Sequence, residues 1–371
     1  MRSSGRLLSA TTIAVTALVL AACGSAPAAS PSTGSVTGAA TGTAVAASKF
    51  LPCVMSDSGG FNDHSFNEQT LNGVKAAASK LGTSFKTAEA KTPTDYTPNL
   101  TNLIQQGCSI IVAPSFNLVA NVKTAALAHP NVNFAMVDDN SIDLPNVKDI
   151  VYATDQAAFL AGYSAAAYTK TGVVALYGGQ QIPPVTIFMD GFVDGIAYYN
   201  KKNNKDVKAL GWDEKAQNGS FIGNFTDQNA AKTTTENELD QNADVIAALA
   251  SGLYQGTGAA IRSSGKKAVL IGTDSDLFET DTAGYKDLVF TSILKNVQPT
   301  VTAVIEQAAS EAKFDNAPYI GTLKNGGVGL APFHDYAENV TSTLADQLKI
   351  VTAGIIDGSI TVESPSSLTK K

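Results

Sequence analysis

The sequence predicts an α/β protein of two lobes, each built on a doubly wound parallel sheet. Three observations predict it. Short apolar runs alternate with helix-periodic segments from Phe50 onward, the pattern of a parallel sheet covered on both faces. A second series of the same design begins near Ala157. The part of the chain that reads as ordered, about 320 residues, exceeds what one hydrophobic core usually supports.

Taken in order, Phe50–Met55 is an apolar run followed by a Gly-rich turn, and Ser65–Leu81 follows with Phe66, Leu71, Val74, Ala77, Ala78 and Leu81 near helical spacing. Gly82 supplies the stop, and Ser65 with Glu68 three residues on reads as a capping box. Ser84–Ala88 is a short strand, Tyr96–Gln106 a helix closed by Gly107, and Ser109–Ala113 a buried strand. Leu118–Ala128 is helical, and Asn133–Val137 is a strand ending at Asp138-Asp139. In the second series Ala157–Thr169 is a small-residue helix, Gly172–Tyr177 a strand and Val185–Asn200 a helix. Val207–Gly211 and Ser220–Phe225 read as strands, Asn229–Asn242 as a helix, and Val245–Ala250 and Ala268–Gly272 as strands. Leu288–Leu294, a helix around Thr300–Ala312, and a final strand and helix complete the chain.

The N-terminus has a different character. Arg2 and Arg6 precede an apolar run from Leu7 to Leu20, the layout of a secretory signal rather than a spanning helix. The run closes with Leu20-Ala21-Ala22-Cys23-Gly24, which resembles the bacterial lipobox; that likeness implies a signal peptide over 1–22 and lipidation of Cys23. Residues 24–48 are almost wholly small and uncharged, the composition of a flexible tether, so 23–48 is expected to be a lipid-anchored linker. The expected place is the extracytoplasmic face of the cell membrane.

A net charge of −7 and the lack of any basic cluster argue against a nucleic-acid partner. Cys53 and Cys108 both sit at expected strands, which leaves open a disulfide, allowed in an exported protein, or two buried thiols. Neither has metal-type spacing, and no metal or cofactor is expected.

Ligands of doubly wound sheets bind off the carboxyl ends of the strands. Those ends carry Asp57 with Gly59-Gly60-Phe61-Asn62-Asp63, Ser115-Phe116, Asp138-Asp139, Gly178-Gly179, Asn224-Phe225-Thr226-Asp227, Ser251-Gly252, Thr273-Asp274-Ser275-Asp276, and Lys295. Asp138/Asp139 and Asp274/Asp276 could in principle be catalytic carboxylate pairs. Adjacent strand residues point to opposite faces, however, so Asp138 and Asp139 cannot easily share a substrate. There is no Gly-x-Ser-x-Gly elbow, and the three histidines read as surface residues. Gly59-Gly60 lacks the Lys-Ser/Thr of a phosphate loop and the third glycine of a dinucleotide fingerprint. These observations remove the phosphate reading and weaken the catalytic one.

Together these residues resemble the basic membrane protein family, substrate-binding lipoproteins of the purine-nucleoside receptor type. The likeness rests on Ser58-Gly59-Gly60-Phe61-Asn62-Asp63-His64-Ser65-Phe66-Asn67, Phe159-Leu160-Ala161-Gly162-Tyr163, Ile182-Pro183-Pro184-Val185 with Gly191-Phe192 and Gly195, Gly272-Thr273-Asp274-Ser275-Asp276, and Thr291-Ser292-Ile293-Leu294-Lys295. It implies a type I periplasmic-binding-protein fold whose lobes are joined by a three-stranded hinge, lobe 1 being 49–155 plus about 297–320 and lobe 2 156–296 plus about 321–371. It also implies a monomer that delivers a nucleoside to the permease subunits of an ABC importer. Phe61 and Phe225 would sandwich the base, with Phe221 the competing register for the second ring. Asn62 and Asp138 would bond the base edge, Asp274 and Lys295 the ribose hydroxyls, and Gly252 would give a backbone contact, with Gly256-Thr257-Gly258 as its alternative. Asp57 completes the expected ligand-binding set. A sugar or other small polar ligand, or sensing without transport, are the competing readings.

Overall fold

The computed structural model describes residues 50–367. The expected signal segment, Cys23 and the linker lie outside the described residues. The first half of the chain lays down β1 (Pro52–Met55), α1 (Phe66–Leu81), β2 (Lys86–Ala88), α2 (Tyr96–Gln105), β3 (Ile110–Pro114), α3 (Val119–Ala128), β4 (Asn133–Val137) and β5 (Val147–Tyr152). Then come α4 (Thr154–Tyr168), β6 (Val173–Gly178), α5 (Pro183–Asn203), β7 (Lys208–Leu210), the two-stranded hairpin β8 (Trp212–Asp213) and β9 (Asn218–Gly219), and α6 (Gln228–Asp240). The remainder is β10 (Val245–Leu249), α7 (Tyr254–Ser264), β11 (Val269–Asp274), α8 (Leu277–Thr280), β12 (Val289–Lys295), α9 (Val297–Ser310), β13 (Tyr319–Gly321), β14 (Val328–Leu330) and α10 (Ser342–Asp357).

Two six-stranded sheets result. The first has the order β13-β5-β4-β3-β1-β2, parallel throughout; the second has the order β14-β12-β11-β10-β6-β7, parallel except for β14. The chain passes between them three times, after Tyr152, after Lys295 and after Gly321. Burial follows the two-residue period of a strand. On β3, Ile110 and Val112 enter the core that runs across both lobes, while Ile111 and Ala113 face the opposite core under α2 and α3. On β10, Val245, Ala247 and Leu249 join the shared core, and Ile246 and Ala248 pack beneath α6 and α7. Each such Val, Ile or Leu contributes about 1.5–3 kcal/mol by leaving water.

The helix α4, made of small residues, packs tightly along α5. A Cβ at Gly162 would lie 1.9 Å from the Phe192 carbonyl oxygen, and one at Gly195 would lie 2.0 Å from that of Phe159. Two of the motifs behind the family resemblance are therefore a backbone-to-backbone helix crossing, which only glycine permits.

Three local expectations are corrected. Ser220–Phe225 is not a strand: Phe221 makes a single bridge to Gly178, and β8–β9 precedes it. The pattern missed β5 because Lys148 and Asp149 interrupt its apolar run, yet both are buried; Lys148 Nζ reaches an Asp315 carboxylate oxygen at 3.1 Å and the Ala317 carbonyl at 2.6 Å. It also missed α7, where Gly256, Gly258 and two serines blur the helical period.

Cys53 and Cys108 form a disulfide, with Cα atoms 5.9 Å apart and a sequence separation of 55. Cys53 lies on β1 and Cys108 just ahead of its neighbour β3, so the sheet itself brings them together. Cys53→Ala/Cys108→Ala is expected to lose about 3 kcal/mol of stability, because the unfolded chain is then free of the loop. Urea titration of both proteins checks this, and an unchanged midpoint would contradict it.

Candidate functional site

The carboxyl ends of both sheets converge on one cleft of about 490 Å³. Its walls include Asp57, Ser115, Phe116, Asp138, Gln180, Ser251, Gly252, Asp274 and Lys295, each at or just past a strand end, together with Asn62 from the turn after β1 and Phe225 from the loop before α6. Seven of the eight residues expected to bind ligand line it. Phe61 does not: it stands beside Asn62 on the turn and packs half-buried against the shared core. Its backbone N–H donates to Glu89 Oε1 at 3.0 Å, and Glu89 thereby holds the Gly-Gly turn. Two lobe-1 aromatics line the wall instead: Phe66, at the start of α1, and Phe116, which the sequence places at a strand end without marking it as a ligand contact. In lobe 2 Phe225 lines the cleft, whereas Phe221 turns away and meets Trp212 edge-on at 5.8 Å. The Phe225 ring lies against the backbone of Gly179, where a Cβ would be 2.3 Å from it.

At the floor, three charged side chains meet. Lys295 Nζ lies 2.6 Å from Asp138 Oδ2 and 3.5 Å from Asp274 Oδ1, and the three residues are only 3, 5 and 7 % exposed, respectively. Asp138 directly follows β4 in lobe 1, and Asp274 and Lys295 end β11 and β12 in lobe 2, so the triad spans the cleft. Phe66 and Phe188 each place a ring 5.0 Å from Nζ, adding cation–π contacts. Burial by itself would depress Lys295, but the two carboxylates outweigh it and hold the ammonium above its ordinary range. One ammonium does not fully offset two carboxylates. Burial accordingly pushes Asp138 upward, with Lys295 pulling it back and Asp274 adding to the rise.

Asp274 Oδ2 accepts from Ser251 Oγ at 3.1 Å and, across the lobes, from Ser65 Oγ at 3.2 Å. Its Oδ1 has no hydrogen-bond partner. Ser65 therefore does not cap α1 as expected. Asp63 does so: its Oδ1 accepts the Ser65 and Glu68 N–H groups at 3.0 Å, and its Oδ2 accepts that of Asn67 at 2.8 Å. A carboxylate near a helix start satisfies several free N–H groups where a hydroxyl satisfies one. Glu68 instead pairs with His64 at 3.3 Å. Asp57 is oriented the same way, its Oδ1 accepting from Gly59 N–H and from Asn67 Nδ2.

The backbone is strained where the cleft is built. His64, Ser115, Asp138, Ser251 and Asp274 all take left-handed φ angles, between 44° and 91°. Such conformations cost on the order of 1–3 kcal/mol each and persist where surrounding structure over-determines them.

The carboxylate pairs considered from the sequence diverge. Asp139 turns away to accept from Ser141 N–H and Oγ, and Asp276 pairs with His334. Among the described residues no group of three or more His, Cys, Asp or Glu is arranged to hold a metal ion. Of the two glycine candidates, Gly252 lines the cleft, whereas Gly256 packs on the Gln228 carbonyl and Gly258 on the Tyr285 ring.

The family of ABC transporter substrate-binding proteins described as PnrA-like matches residues 50–364. The chain belongs to that family. This PnrA-like protein is 30 % identical over 329 residues to the ABC transporter nucleoside-binding protein BmpA of Lactococcus lactis, covering 84 % of this chain and 88 % of that one. It is 28 % identical over 312 residues to basic membrane protein A of Borreliella burgdorferi, covering 82 % and 86 %. An uncharacterized lipoprotein of Pyrococcus furiosus is 30 % identical over 285 residues, covering 74 % and 68 %. Among solved structures, an ABC transporter solute-binding protein from Aeropyrum pernix K1 superposes with a TM-score of 0.72 at 22 % identity, covering 85 % of this chain and 94 % of that one. The two-lobed periplasmic-binding-protein fold expected from the resemblance is thus the observed one. Membership places the PnrA-like chain among extracytoplasmic substrate-binding proteins of ABC transporters, not among enzymes.

Proposed function

We propose that this protein is a membrane-anchored receptor that binds a nucleoside, of the purine class, between its lobes and presents it to the permease of an ABC importer. One observation carries the reading: a flat aromatic wall at Phe225 and a buried Asp138–Lys295–Asp274 triad share one cleft. The ring offers a base a stacking face, worth about 1–3 kcal/mol per base. The triad, short of positive charge, offers acceptors to ribose hydroxyls and base N–H groups. The name of the Lactococcus lactis relative supports the ligand class. The lipobox-like Leu20-Ala21-Ala22-Cys23-Gly24 supports an anchor at Cys23, and delivery inward is the direction this reading gives to the transport.

Asn62 and Asp138 are assigned to the base edge, Asp274 and Lys295 to the ribose, with Asp57 and Gly252 bordering them. Thermal shift and calorimetry against adenosine, guanosine, inosine, uridine, ribose and glucose test the reading. A purine nucleoside should raise the melting temperature, since ligand at a hundredfold over Kd adds about 2.7 kcal/mol. No shift with any nucleoside at millimolar concentration would sink it. Phe225→Ala should weaken nucleoside binding about tenfold or more. For the opposite base face, Phe61 is the residue assigned from the sequence and Phe116 the lobe-1 ring on the wall that is not already engaged by Lys295, as Phe66 is. Parallel Phe61→Ala and Phe116→Ala variants decide between them, because the stacking partner alone should match the Phe225→Ala loss.

A further inference from the structure

β11 ends at Asp274, the carboxylate assigned to the ribose, and the loop that follows carries Asp276 two residues later. Asp276 touches nothing in the main cleft, yet it is held by a stack of side chains. His334 Nε2 lies 2.8 Å from Asp276 Oδ2. The His334 ring lies flat against Phe278, with centroids 3.9 Å apart and planes within 3°. Lys286 Nζ stands 3.9 Å from the centre of the same Phe278 ring. Asp276 Oδ1 closes the assembly by accepting the Phe278 N–H at 3.2 Å. His334, read from the sequence as a surface residue, is half-buried and itself sits at a left-handed φ of 41°.

We infer that His334 is a positioning residue for ligand binding: through Asp276 it fixes the short loop that aims Asp274 into the cleft. The physical case is that Asp274 has a left-handed backbone, φ 66°, a conformation that persists where the surrounding structure over-determines it. The upstream end is tied into β11. The downstream end is tied by the backbone, Leu277 N–H donating to Ser292 Oγ at 3.0 Å, and by the Asp276 carboxylate, which would keep only the Phe278 N–H if His334 were removed. A further restraint comes from lobe 1, Gln69 Nε2 to Ser275 Oγ at 3.1 Å, and this one exists only when the lobes approach. His334 belongs to the same lobe as the loop, so its restraint holds whether the cleft is open or closed. It prepares Asp274 before ligand arrives, which saves ordering on binding.

The inference rests on the nucleoside reading, and its test separates the two. Calorimetry on the whole protein compares whichever of adenosine, guanosine or inosine binds best with its 2′,3′-dideoxy analogue. His334→Ala should lose about tenfold in affinity for the riboside, one hydrogen bond's worth, while the dideoxy analogue changes less than threefold. His334→Gln, which restores a donor to Asp276, should recover riboside affinity to within threefold of wild type. Asp276→Asn, which removes the carboxylate and keeps an acceptor for Phe278, should show the same selective loss if His334→Ala folds poorly. Equal losses for both ligands, or an unchanged riboside affinity in His334→Ala, would overturn the inference and leave the functional reading intact. A wild type that binds no nucleoside would overturn both.

Discussion

Lys295→Met is expected to reduce ligand affinity more than a hundredfold and to cost the fold about 3–5 kcal/mol, the usual penalty for stranding buried charge. The substitution leaves Asp138 and Asp274 buried at the cleft floor with no cation between them. Lys295 also contacts the rings of Phe66 and Phe188, so a side chain of similar length is needed to keep packing constant. The double variant Lys295→Met/Asp138→Asn should regain much of the stability, because it removes one stranded carboxylate, but not the binding. Denaturant unfolding and calorimetry on both variants check the two halves separately. Full binding by Lys295→Met would mean that the triad serves only the structure.

The second large effect concerns Glu238, which is far from the chemistry of the cleft floor. It lies on the buried face of α6, and neither carboxyl oxygen has a hydrogen-bond partner. Burial alone raises its pKa from 4.5 to about 8. A group whose folded pKa is raised adds stability that is fully present below the unfolded pKa and disappears as pH rises through the folded one. The wild type should therefore lose about 1.4 kcal/mol per pH unit from this group between about pH 4.5 and pH 8. Glu238→Gln keeps the shape without the ionisation. It should be more stable than wild type by on the order of 4 kcal/mol at pH 8.5, and by little at pH 4.5. Urea midpoints across that range test the claim, and a difference that does not grow with pH would defeat it.

Much of the architecture could be read without coordinates, because it depends on period and punctuation. Ile110–Val112 and Val245–Leu249 read as buried strands since parallel sheets with two covered faces need continuous apolar runs. The strand-end rule then assembled Asp138, Asp274 and Lys295 from segments far apart in sequence into one cleft, which Phe225 reaches from the loop before α6 although its expected strand does not form. The failures have physical causes too. The pattern missed β5 because its lysine is neutralised by Asp315, a partner nearly 170 residues away that no local window contains. Asp63 rather than Ser65 caps α1 because the Ser65 hydroxyl is drawn to the other lobe.

The sequence by itself determined the alternation of strands and helices, the acids, amides and aromatics at the strand ends, and the motifs shared with the PnrA-like family. These are local or ordered along the chain, so spacing alone reveals them. Only the tertiary structure decided that Lys295 bridges Asp138 and Asp274 across the lobes, that Phe116 rather than Phe61 stands on the wall, and that His334 grips the loop behind Asp274. Each of these depends on which strand ends face one another and on which atoms are left without water. Those are properties of the packed lobes, and no single stretch of sequence contains them.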